Sequence, residues 1–139
     1  MKITNRTVLV VGGTSGIGRG LARRFVDAGS TVIVGGRKPE PEADLRTVRI
    51  DVTDPESIRH ARDEVLSAHP DLDMIVTMSG VMLHEDLRDP AHIDAAETTV
   101  ATNLLGTIRV IDAFTPTSSP VVAAPSSRSP RASPSSRSR

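Results

Sequence analysis

The chain has 139 residues, of which 37% are apolar, with 17 basic against 17 acidic side chains and no Cys, Trp or Tyr. That length suits one ordinary domain with its own core. The missing cysteines exclude a disulfide framework, a thiolate nucleophile and a cysteine metal site, and fit the cytoplasm.

The zero net charge conceals an asymmetry. All 17 acidic residues lie in 1–114 beside 13 basic ones, whereas the last 25 residues hold four Arg, nine Ser, five Pro and no acid. The body is therefore set at 1–114, and 115–139 is a Ser/Pro/Arg-rich tail whose composition predicts disorder. No apolar run approaches the roughly 20 residues needed to cross a bilayer. The opening MKITNRTVLVV leads into a strand pattern without a signal-peptide cleavage region.

Thr7 to Val11 (TVLVV) is apolar and β-branched without alternation, as expected of a strand buried on both faces. Glycines follow. Ile17 to Ala28 then places Ile17, Leu21, Ala22, Phe25 and Val26 at helical spacing, and Gly29 ends that helix. Thr31 to Val34 is a second buried strand, stopped by Gly35 and Gly36. Arg37 to Leu45 is a polar loop, and Thr47 to Ile50 a third strand. Asp54-Pro55-Glu56 opens a helix with Asp as N-cap and Pro in the first turn, carrying Ile58, Ala61, Val65 and Leu66 on one face. Asp73 to Thr77 is a fourth strand, and 80–95 is loop-like. Ala96 to Phe114 is helical, with Val100, Leu104, Ile108 and Ile111 on one stripe. Strands alternating with helices through short links predict an α/β fold with a parallel sheet.

Gly12, Gly16 and Gly18 form G-x-x-x-G-x-G between the first strand and the first helix. Such a loop lets the backbone approach a pyrophosphate and aims the positive end of the helix at it. Thr14 and Ser15 add hydroxyl donors. The alternative, a plain tight turn, is less compatible with the strand–loop–helix–strand context.

GGTSGIG with the following LARRF, then TVIVGGR, IDVTDPESI and NLLG, closely resembles the classical short-chain dehydrogenase/reductase family over about residues 5–114. The resemblance implies a Rossmann-like doubly wound sheet, here cut to about four strands in the order 3-2-1-4. It also implies a nicotinamide dinucleotide held by Gly12, Thr14, Ser15, Gly16, Ile17 and Gly18, with Asp51 and Val52 at the adenine. Arg37 stands where the family often has an acid that grips the ribose. It either binds a 2′-phosphate, favouring NADP over NAD, or is a solvated loop arginine. Asp51 is alternatively a strand-end turn residue.

Where the family has Asn-Asn-Ala-Gly, this chain has Thr77-Met78-Ser79-Gly80, keeping only Gly80; Thr77 and Ser79 are expected to replace part of the lost hydrogen bonding. Asn103 matches the helix asparagine that supports a proton-relay water, the one surviving catalytic position; otherwise it is a polar residue buried at a helix kink. His60, His69, His84 and His92 show no metal-ligand spacing, so no metal site is expected. His84 and His92, in the loop bordering the substrate, are expected to be solvated.

The family's hydride transfer between nicotinamide and a small carbonyl or alcohol substrate needs a Ser, a Tyr and a Lys four residues after the Tyr. This chain has no Tyr, and its only lysines are Lys2 and Lys38. An inactive, truncated product is expected, with the family's oligomer contacts largely missing.

The tail is open to three readings: a disordered arm, a linker, or an out-of-frame translation. If each new codon takes the last nucleotide of one printed codon and the first two of the next, TCN serines become Phe, Leu, Ile or Val. From Pro116 a permitted reading is PHLVARRRRTVITVSSGLAFVPLA. It resembles the family's continuation through a fifth strand to the Ser pair, over Pro130 and Arg131. Alternatives from other classes are a non-enzymatic NAD(P)-binding module and a basic-tailed nucleic-acid binder. The tail's arginines lack interleaved aromatics for base stacking, so no nucleic-acid partner and no membrane partner is expected.

Overall fold

The computed structural model describes residues 3–118. Four strands form one parallel sheet: β1 (Thr7–Val11), β2 (Thr31–Gly36), β3 (Arg46–Arg49) and β4 (Met74–Thr77). Their order is β3-β2-β1-β4. Helix α1 (Gly16–Asp27) links β1 to β2, and α2 (Pro55–Ala68) links β3 to β4. After β4 the chain runs through α3 (His92–Val100), a π-helical segment (Ala101–Gly106) and α4 (Thr107–Ser118).

β1 shows why the sheet is doubly wound. All five of its residues are buried, and successive side chains point to opposite faces. Val8 and Val10 join Val32, Val34, Ala22 and Phe25 on the α1 side. Leu9 and Val11 join Ile33, Val48, Ile50, Ile58, Val65, Val110 and Phe114 under α2 and α4. An unalternating apolar run is what a strand between two helical layers requires.

The helix ends follow their local chemistry. The Asp54 carboxylate accepts a hydrogen bond from Glu56 N at 2.9 Å, with Pro55 in the first turn. At the far end of α1, Gly29 N donates to Val26 O and Ser30 N to Phe25 O, and Gly29 has φ +81°, an ending that favours glycine.

Several expectations need correction. Gly35 and Gly36 do not stop β2; they pair with Val48 and Arg49 of β3, so ladder pairing carries the strand past its last side chain. Ile17 is 79% exposed, because α1 turns Gly18, Ala22 and Phe25 inward instead. The last helical run starts earlier than Ala96, at His92, and is widened between Ala101 and Gly106.

Its stripe is also reversed: Val100, Leu104, Ile108 and Ile111 are exposed, while Val110 and Phe114 are fully buried. A helix apolar on two sides offers two inward faces. Packing against α2 and the sheet selects the Val110–Phe114 side. Helix α4 also passes the expected boundary at Phe114 and reaches Ser118; the tail beyond it lies outside the described residues.

Two substitutions separate these faces. Phe114→Ala is expected to lower unfolding free energy in urea by about 3–5 kcal/mol. Ile108→Ala, on the exposed stripe, is expected to stay within about 0.5 kcal/mol of the parent.

Candidate functional site

The sheet's connections diverge between β1 and β4: α1 leads away on one face and α2 returns on the other. Open α/β sheets form a crevice at such a point, beyond the carboxyl ends of the strands. Here the crevice measures about 500 Å³, and its wall includes Gly12, Ser15, Arg37, Asp51, Ser79 and Thr102.

The floor is backbone. Gly12 has φ +83°, and a Cβ there would fall 2.6 Å from Ser79 N and 2.7 Å from Met78 C. A Cβ on Gly18 would fall 2.2 Å from Gly12 O. Any side chain at either position forces the β1 end away from β4 or α1 away from the loop. Gly12 N is held by Gly35 O at 2.7 Å, and Met78 N by Val11 O at 2.7 Å.

One end of the crevice is the start of α1. Ser15 is its N-cap but makes no side-chain capping bond, and the first turn contains no acid. The first-turn N–H groups have no intrahelical acceptor, so the Gly16–Ile17–Gly18 amides, with Thr14 and Ser15, offer donors and a positive dipole end to an anion. Ile17 lies at the mouth of the crevice.

On another wall stand Arg37, Asp51 and Val52. Asp51 Oδ1 accepts from Thr53 Oγ1 at 2.7 Å and from Thr53 N at 2.9 Å. The Asp51 carboxyl is held below its ordinary value of 3.8, first by the Thr53 hydroxyl, then by the Thr53 N–H, with the positive charges of Arg37 and Arg49 adding to these against a contribution from burial. The turn and the crevice-lining reading of Asp51 are therefore compatible. Val52 is buried and packs where a Cβ on Gly106 would come within 2.7 Å.

Gly80 lines the crevice, but Asn103 does not. Its Oδ1 accepts from Val81 N and its Nδ2 donates to Val81 O, each at 2.8 Å. Asn103 lies in the π-helical segment, as a kink residue does, yet it is exposed rather than buried. Both ends of its amide pin the segment after β4. Among the described residues, the bonds that tie this stretch involve neither the Thr77 nor the Ser79 hydroxyl.

Sequence reasoning missed Gly36, Thr53, Met78, Val81, Thr98 and Thr102, which also line the crevice. The Thr98–Thr102 spacing of one helical turn was a usable signal. The others depend on where β2, β3 and β4 end. His92 opens α3, with Nδ1 4.0 Å from Glu85 Oε2. Among the described residues no cluster of three His, Asp or Glu is placed to hold a metal, and no helix is long and apolar enough to cross a membrane.

Residues 6–122 match the family model described as short chain dehydrogenase. The chain belongs to that family. Sulfoacetaldehyde reductase 2 of Chromohalobacter salexigens is 32% identical over 79% of this chain and 48% of its own length. An NADP-dependent 3-hydroxy acid dehydrogenase of Salmonella typhi is 33% identical over 78% of this chain and 47% of its own. Among solved structures, ligand-free aldohexose dehydrogenase of Thermoplasma acidophilum superposes with a TM-score of 0.77 at 25% identity, covering 84% of this chain and 45% of that one. The chain spans about half the length of these relatives. The family match extends beyond Phe114, so the change in composition there is not where the likeness stops.

The Asp51–Thr53 turn makes a pH prediction. A carboxyl depressed in the folded state contributes stability that is fully present above its unfolded value and is lost as pH falls through the folded one. Thr53→Ala is expected to move the Asp51 titration up toward 3.8 in a carboxyl NMR titration. The accompanying loss of stability is expected at pH 7 and to fade below the Asp51 pKa in urea melts.

Proposed function

We propose that this chain is the dinucleotide-binding half of an NADP-preferring oxidoreductase, whose reaction is hydride transfer between the nicotinamide and a small carbonyl or alcohol. The observation that carries the reading is the glycine-floored crevice at the β1–β4 divergence, closed by an uncapped, acid-free helix start. A Cβ would fill that floor, and the donors around it suit a pyrophosphate.

The residues proposed to hold the cofactor are Gly12, Thr14, Ser15, Gly16, Ile17 and Gly18 at the phosphates, Asp51 and Val52 at the adenine, Arg37 at the ribose and Gly80 toward the nicotinamide. Arg37 favours the 2′-phosphorylated form because a guanidinium grips a phosphate in two-pronged fashion. The NADP dependence of the Salmonella relative supports the same choice. When bound, the nicotinamide supplies the hydride chemistry. What this chain's own residues supply is binding and orientation, with Asn103 positioning the segment after β4 through Val81.

With no Tyr anywhere and lysines only at 2 and 38, the chain by itself binds the cofactor without turning substrate over. It is proposed to act in the cytoplasm. The tail is proposed to be an out-of-frame reading of the same gene. The reading rests on the tail's Ser, Pro and Arg composition; because the printed sequence keeps its family likeness to 122, the change of frame is proposed to fall near the end of that match rather than at 115.

Calorimetric titration is expected to show binding of NADPH and, more weakly, of NADH and ADP-ribose. Gly18→Ala is expected to weaken NADPH binding at least tenfold, roughly 1.4 kcal/mol. Absence of binding by all three overturns the reading, and turnover of a carbonyl panel with NADPH overturns the proposed inactivity. At the locus, TCN serine codons and a reductase continuation in the alternate frame are expected; AGY codons or no continuation remove the frame reading.

A further inference from the structure

A second cavity, of about 390 Å³, lies beside the first and shares Thr14 and Ser15 with it as a common wall. The two consecutive cations that leave β2 are divided between them: Arg37 lines the first cavity and Lys38 the second. Alternation of side chains at a strand exit produces that split. The second cavity is also lined by Arg19, one residue past the glycine loop on α1, and by the carboxylates of Glu40 and Glu42.

Glu42 is the most enclosed partner in an ion-pair cluster. Its Oε1 lies 2.9 Å from Arg19 Nη2, and its Oε2 pairs with Arg23. The Glu42 side chain is 21% exposed, against 52% for Arg19 and 40% for Arg23. Arg23 has a further, longer contact with Asp44 at 3.7 Å. One carboxylate thus holds two α1 guanidiniums and ties the β2–β3 loop down onto the helix. Isolated surface ion pairs contribute little, but clustered ones fix geometry. The consequence is electrical: beside a glycine loop built for phosphate, Arg19 is already matched by an acid.

We propose that Glu42 is a specificity-determining residue, withholding Arg19 from the ribose end of the bound dinucleotide and so limiting how strongly a 2′-phosphate is preferred over a 2′-hydroxyl. This rests on the reading that Arg37 faces that ribose in the first cavity. The two cofactors differ at this point by the phosphate, a dianion near neutral pH. Removing a carboxylate from the far side of the Thr14–Ser15 wall relieves repulsion, and it frees a guanidinium at the same time.

The experiment is a double-mutant cycle on the full chain, reading the ratio of NADH to NADPH dissociation constants by calorimetry. Glu42→Gln is expected to raise that ratio roughly three- to tenfold. Arg19→Gln alone is expected to leave it within about twofold, because Arg19 is already neutralised, and to reverse most of the gain when added to Glu42→Gln. An unchanged ratio in Glu42→Gln overturns the proposal. So does a fall caused by Arg19→Gln in the parent as large as the fall it causes in the Glu42→Gln background, and a fall of more than about threefold in Arg19→Gln alone overturns it even if Glu42→Gln does not fold. Failure of the dinucleotide reading is distinguishable, because the parent chain then binds neither cofactor; the proposal falls with it.

Discussion

The close approach of the β1 and β4 ends is the constraint on which the site depends. At Gly12 the chain leaves the sheet with no room for a methyl group against Met78 and Ser79. Because the strands meet so closely, α1 starts directly over the gap, and its unpaired amides face the same space as the ends of β2 and β3. Two rows of long-range contacts hold that arrangement, one from Val8, Val10, Val32 and Val34 and one from Leu9, Val11, Ile33 and Val48. The crevice is a consequence of how the sheet is wound, and the crevice-lining side chains are placed by it.

How far the fold was legible in the sequence depends on how local the deciding force is. The β-branched runs of β1 and β2, the Asp54–Pro55 start of α2 and the glycine trio are local signals, and each element formed close to its expected place. The glycine trio and the residues after β2 and β3 also pointed to the crevice, since strand ends converge there in any parallel sheet. The inward face of α4 was not legible. Ile108 and Val110 are equally apolar, and contact with α2 and the sheet decides between them. The persistence of β2 through Gly35 and Gly36 likewise follows from register with β3, which no short window of sequence contains.

Asn103 illustrates the same divide within the site. Its residue type and its place in NLLG signalled a special position, but the partner it takes could not be read off. That partner is the Val81 backbone, more than twenty residues earlier in the chain. The π-helical widening between Ala101 and Gly106 is where the asparagine reaches back, and such widenings often occur at functional positions. Thr102, one residue before it, looks into the crevice, so a single local distortion serves both the wall and the Asn103 clasp.

The two jaws of the crevice are unequally anchored. β1 is enclosed by strands on both edges and helices on both faces, whereas all four residues of β4 are half-buried and, among the described residues, no strand lies beside one of its edges. Opening free energies follow burial and pairing, so amide protons of β1 are expected to exchange last, and those of β4 sooner through local openings. A ligand seated across the gap therefore meets one jaw already rigid and must quiet the other. Part of its binding entropy is thereby set by an edge strand that contributes little of the chemistry.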